Sequence, residues 1–94
     1  MELCKAKQFI YCTENDLDDT KKIYSSKSLD TLLEVTDGDL IGVYAVVDTS
    51  NGEKLFDVEM SFYGEPIITR VFLHKQFFMS QHGDYEVVDL DINN

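Results

Sequence analysis

Positive charge is what this chain of 94 residues has least of. Eight Lys and Arg face eighteen Asp and Glu, which gives a formal net charge of −10. The shortage is uneven. Residues 1–27 carry five acids and five bases, whereas residues 28–94 carry thirteen acids and only Lys54, Arg70 and Lys75 as bases. Such a chain repels nucleic acid and anionic membranes, and it attracts basic protein surfaces.

Proline, glycine and long apolar runs are also scarce. One Pro and five Gly are not the composition of a long linker, so we expect a single domain over residues 1–94 with one modest core. The longest apolar run, residues 40–47, is far shorter than the roughly 20 residues that a helix needs to cross a bilayer. The first residues lack the apolar stretch of a secretory signal peptide, so we expect a cytoplasmic protein.

The two cysteines, Cys4 and Cys12, are too few to form a disulfide framework. Because no export signal is seen, we expect both to be reduced thiols. Cys12 lies in an apolar segment beside Tyr11, which is typical of a small core residue rather than of a nucleophile.

The first third of the chain predicts one strand and two short helices. Residues 8–12 form the apolar, aromatic run of a strand. Thr13 is a candidate N-cap for an acidic helix that begins at residues 14–19 and has lysines near its end, an order of charges that complements the helix dipole. Ser28 is a candidate cap for a second helix over about residues 29–36, which Gly38 would stop.

The remaining residues predict strands. Residues 40–48 are rich in β-branched residues, and Asn51-Gly52 marks a tight turn into a strand at residues 54–63. Along that strand an apolar set alternates with a polar set, so the two should lie on opposite faces. The apolar set is Phe56, Val58, Met60 and Phe62, and the polar set is Asp57, Glu59 and Ser61. Further strands are expected at residues 67–74, with Ile68 and Phe72 on one face, and at residues 86–92.

Together these patterns predict an α+β domain. We expect an antiparallel sheet of four or five strands, connected as a meander, with one or two short helices packed on one face. The other face of the sheet should be polar. Four acids would stand there in two pairs, each pair two residues apart on one strand: Asp57 with Glu59, and Asp89 with Asp91.

These paired carboxylates have two interpretations. They are a docking face that imitates a nucleic-acid backbone toward a basic partner, or a solvated face that keeps the domain soluble. A charged outer face is ordinary on an antiparallel sheet, which favours the second interpretation. The near absence of bases after residue 28 supports the first, since surfaces usually mix both signs. Phe77-Phe78-Met79 predicts either a hydrophobic anchor beside that face or a buried turn at the end of the sheet. The predicted partner-binding residues are Asp57, Glu59, Asp89, Asp91, Phe77 and Phe78.

No motif predicts catalysis, a cofactor or a metal site. Asp89, Asp91 and Asn93 match the opening of a calcium loop, but the Gly and the bidentate Glu of such a loop do not follow in the sequence. His74 and His82 lack metal-binding spacing and are typical of surface or edge residues. We therefore expect no enzymatic activity, no cofactor and no bound metal.

In size and charge, the chain resembles small acidic α+β proteins of phages and mobile elements that inhibit host enzymes, some of them by imitating DNA. The resemblance implies a non-enzymatic inhibitor or adaptor in the host cytoplasm. Its partner would be a basic protein, such as a nucleic-acid-handling enzyme, with no direct contact to nucleic acid or membrane. Two alternatives stay open. One is an immunity protein or antitoxin that neutralises a basic toxin, and the other is a structural subunit that assembles through an exposed edge strand, for example as a dimer.

Overall fold

The chain folds as a six-stranded mixed sheet with two short helices. A computed structural model describes residues 5–60 and 63–92. In chain order, the elements are β1 (Gln8–Asn15), β2 (Thr20–Ser26), α1 (Leu29–Leu33), β3 (Asp39–Thr49), β4 (Gly52–Met60), β5 (Pro66–His74), α2 (Lys75–Gln81) and β6 (Glu86–Asp89). The strand order across the sheet is β5-β4-β3-β1-β2-β6. All neighbours are antiparallel except β2 and β6, which are parallel.

The expected α+β class is confirmed, and the predicted meander is present in β3, β4 and β5. The sheet itself differs from the prediction because it has six strands and is mixed. The sequence does not predict the parallel pairing of β2 with β6, because α1, β3, β4, β5 and α2 lie between these two strands in the chain.

The acidic helix predicted at the start of the chain is wrong. Those residues form the ends of β1 and β2 and the turn between them. Asn15 Oδ1 accepts the backbone N–H of Leu17 at 3.0 Å, and Asp18 Oδ1 accepts that of Thr20 at 3.3 Å. Asp19 has a left-handed backbone with φ 56°. Asn and Asp side chains that bond to the backbone two residues ahead favour turns over helices.

The two helices lie on opposite faces of the sheet, and the strand directions explain why. The strands β2, β3, β5 and β6 run in one direction, and β1 and β4 in the other. The link through α1 crosses from β2 to β3, and the link through α2 crosses the sheet in the opposite sense, from β5 to β6. Because such crossovers between parallel strands are almost always right-handed, opposite senses require opposite faces.

Each face therefore has its own apolar layer. The layer under α2 contains Ile10, Cys12, Ile23, Tyr44, Val46, Leu55 and Phe78. The layer under α1 contains Phe9, Tyr24, Leu29, Leu32, Ala45 and Ile68. The polar sheet face expected from the sequence is thus wrong. The reason is that consecutive residues of a strand point to opposite faces of the sheet. A central strand with consecutive apolar residues, such as β3, therefore contributes to both layers.

The pairing of β4 with β5 is irregular, which breaks the simple alternation predicted there. The register shifts twice, between Leu55 and Phe56 and again before Val58. Phe56 and Val58 are half-buried on the α1 face as expected, Met60 is half-exposed, and Phe62 lies outside the described residues. The shifts also place Ile68 in the α1 layer while Phe72 contacts Tyr44 of the α2 layer, although one shared face was predicted.

The α1 helix is shorter than predicted and ends at Leu33. Ser28 caps it as expected, because its Oγ accepts the backbone N–H of Thr31 at 3.3 Å. Cys12 is a free, buried thiol, and Cys4 lies outside the described residues. Over residues 5–60 and 63–92, no helix combines the length and apolar character needed to cross a membrane.

Candidate interaction surface

The strand directions bring most of the acidic residues to one end of the sheet. At this end β1 and β4 finish, and β2, β3, β5 and β6 begin. Four chain segments meet there: the β1–β2 turn, the loop from α1 to β3, the β4–β5 turn and the loop from α2 to β6. We call this the acidic end. Ten of the eighteen acids lie in these segments or in the adjoining strand termini: Glu14, Asp16, Asp18, Asp19, Asp37, Asp39, Glu59, Glu65, Asp84 and Glu86.

Only two bases lie at the acidic end, and each is paired with one acid. Lys21 Nζ lies 3.2 Å from Asp84 Oδ2, and Lys22 Nζ lies 3.6 Å from Asp37 Oδ2. Several other acids of this end make no ion pair in the part of the chain that the structure describes, among them Asp16, Asp19, Asp39, Glu59 and Glu86. Six strands at a spacing of about 4.8 Å make this end about 24 Å wide. The result is a broad surface of one sign.

Two tyrosine hydroxyls stabilise the charged form of acids at this end. Tyr24 donates to Asp37, and Tyr85 donates to Glu14. The bond from Tyr24 holds the pKa of Asp37 below its ordinary value, and burial of Tyr24 together with the same bond raises the pKa of the phenol. The pKa of Asp84 is lowered as well, by the hydrogen bond from Lys21. The Asp37 and Asp84 carboxylates therefore stay ionised well below neutral pH.

Exposed apolar side chains lie among the carboxylates of the acidic end. Leu17, at the tip of the β1–β2 turn, is 98% exposed, and Tyr63, in the β4–β5 turn, is 87% exposed. Leu40, Ile41 and Met60 are about half-exposed. Single exposed apolar residues are ordinary, but several inside one charged surface have the composition of an interaction site, with apolar anchors inside a polar rim.

The opposite end of the sheet, which we call the mixed-charge end, has equal numbers of both signs among the described residues. Its acids are Asp30, Asp48, Glu53, Asp89 and Asp91, and its bases are Lys5, Lys7, Lys27, Lys54 and Lys75. Lys7 pairs with both Asp48, at 3.0 Å, and Glu53. Two hydrogen bonds from Lys7 to these carboxylates raise the pKa of its ammonium. Charge at this end is largely neutralised within the chain.

The structure does not bring the four predicted acids into one patch. Asp57 and Glu59 lie on β4, and Asp89 and Asp91 lie on or just after β6, with three strands and about 19 Å between them. The Asp57 carboxylate is mostly buried and lies 3.0 Å from Arg70. Asp91 accepts hydrogen bonds of 2.7 Å from Ser26 Oγ and from the Lys27 backbone N–H.

Of these four residues, Glu59 belongs to the acidic end, and Asp89 is exposed on the edge strand β6. Asp57 and Asp91 already have partners within the chain, and one oxygen of Asp89 accepts the backbone N–H of Asp91 at 2.9 Å. Neutralising all four together would therefore disturb the fold as well as the surface charge.

The two predicted aromatic anchors have different environments. Phe77 is 56% exposed on α2, whereas Phe78 is 1% exposed and lies in the α2 layer. The Phe78 ring is 5.2 Å from that of Tyr44 and stacks on His82 at 4.1 Å. Phe78 as a partner-binding residue is thus a wrong prediction, because a fully buried ring has no surface to offer. Only Phe77 remains available for a contact.

The chemistry-bearing residues of the described chain show no assembled reaction site. The pKa of Cys12 is raised to about 12 by burial and by the neighbouring charge of Glu14, so its thiol is protonated and unreactive. His82 lies against the Phe78 ring, and its Nδ1 is 2.8 Å from the Phe78 carbonyl oxygen. No group of three or more metal-ligating side chains occurs within the described residues.

The acidic end is the feature that the sequence did not reveal. Its acids come from four segments that are far apart in the chain, and only the strand directions show that these segments meet. The one signal available was the cluster of acids and Asn at residues 14–19, which is as typical of a turn as of a helix start.

No protein-family model, no curated protein and no solved structure matches this chain. What the protein does must therefore be argued from the geometry of the chain itself.

Proposed function

We propose that this protein is a non-enzymatic binding protein whose acidic end docks on a basic surface of another protein. The observation that carries the proposal is the concentration of ten acids and two paired lysines at one end of a sheet whose other end is balanced. Such an arrangement opposes folding through self-repulsion, so a partner that supplies the missing positive charge accounts for it.

The mechanism would be occlusion of a basic site. Carboxylates of the acidic end would pair with Lys and Arg groups that otherwise hold phosphates, while Leu17 and Tyr63 add apolar contact area inside the charged rim. A nucleic-acid-handling enzyme is the favoured partner class, because its substrate site is the most strongly basic surface that a protein ordinarily has. The protein would then act as an inhibitor that imitates DNA, of the kind expected from phages and mobile elements.

Capture at low salt, followed by a competition assay, tests this proposal. The protein is immobilised, a lysate is passed over it, and bound proteins are eluted with increasing salt, since exposed charges are screened within about 8–10 Å at ordinary ionic strength. We expect a basic nucleic-acid enzyme to elute, and we expect free duplex DNA to displace the protein from that enzyme. Binding that DNA does not affect would contradict the imitation of DNA. Release of a basic toxin instead would indicate an immunity protein.

Two matched variants locate the interface. Asp16→Asn, Asp39→Asn and Glu86→Gln neutralise the acidic end, and Asp30→Asn, Asp48→Asn and Glu53→Gln neutralise the mixed-charge end. Each triple variant changes the net charge by the same amount, from −10 to −10 + 3 = −7. The first should slow association with the captured partner about tenfold at low salt, and the second should change it little. Equal slowing by both would show that only total charge matters.

A second candidate function is assembly through the edge strand β5. This strand is nine residues long, and Ile67, Val71 and Phe72 are exposed along it. An exposed apolar edge is a template for strand pairing, although the two register shifts distort this one. Salt separates the two functions. Self-association of a chain with net charge −10 should strengthen as salt rises, whereas binding to a basic partner should weaken. Sedimentation at two salt concentrations measures this.

A further inference from the structure

The α2 face of the sheet contains a pocket that the acidic end does not explain. Helix α2 packs mainly on β4 and β5, and its Phe78 packs with Ile10 and Ile23, so the part of this face that stays open lies over the margins of β1 and β2 and over β6. Lys75 and Met79 of α2 form a wall above that area, and the three strands form the floor. The pocket has a volume of about 210 Å³. This is the volume of roughly seven water molecules, so it suits a small molecule rather than a peptide.

The strand register divides the pocket into an apolar half and a polar half. Ile23 on β2 lies beside Val87 on β6, and Ser25 lies beside Asp89 one step closer to the mixed-charge end. The apolar half is lined by Ile10, Ile23, Met79 and Val87. The polar half is lined by Gln8, Ser25, Lys75 and Asp89. One positive and one negative side chain thus lie at the same end of an otherwise apolar pocket.

The polar groups of the pocket have unused hydrogen-bonding capacity. Ser25 is only 7% exposed, but no fully buried side-chain oxygen or nitrogen of the described residues lacks a hydrogen-bond partner. The Ser25 hydroxyl therefore keeps contact with solvent in the pocket, and a ligand there can replace that solvent as its hydrogen-bond partner. The Lys75 ammonium lies 3.4 Å from Gln8 Oε1 and 3.8 Å from Glu53, both longer than the roughly 2.7–2.9 Å of a strong charged hydrogen bond.

We propose that this pocket binds a free α-amino acid with an aliphatic side chain. Its carboxylate would pair with Lys75, its ammonium group would pair with Asp89 and donate to the Ser25 hydroxyl, and its side chain would lie on Met79 and Val87. Strand β1 beneath Lys75 and strand β6 are two strand spacings apart, or about 10 Å. A small zwitterion with one hydrogen bond at each end spans that distance. The proposal is independent of any partner at the acidic end.

Titration with L-leucine, followed by amide NMR spectra of the full chain, tests the proposal. We expect saturable shifts at Ile10, Ile23, Ser25 and Val87, with a dissociation constant on the order of 1 mM or tighter. Three comparison ligands each lack one group: isocaproate lacks the amine, isopentylamine lacks the carboxylate and glycine lacks the side chain. Each should bind at least about tenfold more weakly, which is the loss of one charged or apolar contact. No saturable shift with L-leucine, or equal binding of isocaproate, would overturn the proposal.

A pair of edge-strand variants checks the location. Val87→Phe fills the apolar half, and Val71→Phe makes the same change on the opposite edge strand; the two valines are 55% and 51% exposed. Val87→Phe should abolish leucine binding, and Val71→Phe should leave it unchanged, while both keep the parent amide spectrum elsewhere. Lys75→Met should weaken leucine binding but not isopentylamine binding. If Val87→Phe bound leucine like the parent, the ligand would lie elsewhere and the proposal would fail.

Discussion

The two ends of the sheet handle charge in opposite ways. At the mixed-charge end, Lys7 is held between two carboxylates and Asp91 accepts two hydrogen bonds from the end of β2. At the acidic end, two lysines serve ten acids, and apolar side chains stand between the carboxylates. The first end balances its acids with an equal number of bases. The second leaves most of its acids without a base, which is the condition that the proposed docking on a basic partner requires.

If one cooperative core supports both ends, removal of a central side chain should destabilise the whole domain. Phe78 is buried in the α2 layer, among residues of β1, β2, β3 and β4. Phe78→Ala should lower the free energy of unfolding by about 3–5 kcal/mol, whereas Phe77→Ala, one residue earlier on the helix surface, should lower it by less than about 1 kcal/mol. Urea unfolding measured by circular dichroism gives both values. Similar losses for the two variants would mean that the helix does not face the sheet as described.

The acidic end depends on a close backbone approach at Gly38. Its φ is +81°, and a Cβ there would lie 3.0 Å from the Glu14 carbonyl oxygen. Gly64 has the same φ, but a Cβ on it would meet nothing within 4 Å. Gly64→Ala should therefore lower the free energy of unfolding by about 1 kcal/mol, because of the left-handed conformation alone. Gly38→Ala should lower it by about 2–3 kcal/mol, because the close contact with Glu14 adds strain. Equal costs, measured by urea unfolding, would show that the loop from α1 to β3 moves away freely.

Salt should affect the two ends differently. Screening of the carboxylates at the acidic end should raise the stability of the parent protein by about 1 kcal/mol or less between low and moderate salt. The triple variant Asp16→Asn, Asp39→Asn, Glu86→Gln should already be more stable at low salt and should gain less. The triple variant at the mixed-charge end should be less stable, because Lys7 loses both carboxylate partners. Thermal unfolding at two salt concentrations measures the effect, and the same gain in all three proteins would contradict the difference between the ends.

The smallest effect concerns acid pH. Hydrogen bonds from Ser26 and Lys27 lower the pKa of Asp91 below its ordinary value of 3.8. The stability that Asp91 contributes is therefore complete above that ordinary value and is lost as the pH falls through the lowered pKa. Asp91→Asn should be less stable than the parent at neutral pH, and the difference should shrink at about pH 3. Asp16→Asn removes one charge without removing a hydrogen bond, and it should show no such loss at neutral pH.

The local patterns of the sequence predicted several elements, because their causes are local. The Asn51-Gly52 turn, the strand before it and the Ser28 cap depend on neighbouring residues and are confirmed. The helix predicted at residues 14–22 does not form, because Asn15 and Asp18 close a turn there and the order of charges does not outweigh that tendency. The polar face failed because alternation in β4 does not reveal that the neighbouring central strands are apolar on both sides.

The sequence predicts that the candidate surface is acidic, but it does not predict where on the fold the acids lie. Net charge is a property of composition, so the attraction to basic surfaces follows from the sequence. The position of the charge depends on which strand ends meet, and that depends on pairing between distant segments. Asp57 illustrates the limit. Its alternation with Val58 is plain in the sequence, whereas its ion pair with Arg70 arises from the irregular register of β4 and β5.

Strand β6 makes the least secure contribution to the sheet, and this has a kinetic consequence. It is four residues long, and within residues 5–60 and 63–92 it lies at the edge of the sheet and pairs with β2 alone. Opening it requires breaking one short parallel ladder, so its amide hydrogens should exchange with solvent sooner than those of β1 and β3. Each such opening removes Val87 and Asp89 from the floor of the pocket. A molecule bound there would hold the strand closed, and slower exchange at Glu86–Asp89 would report its presence.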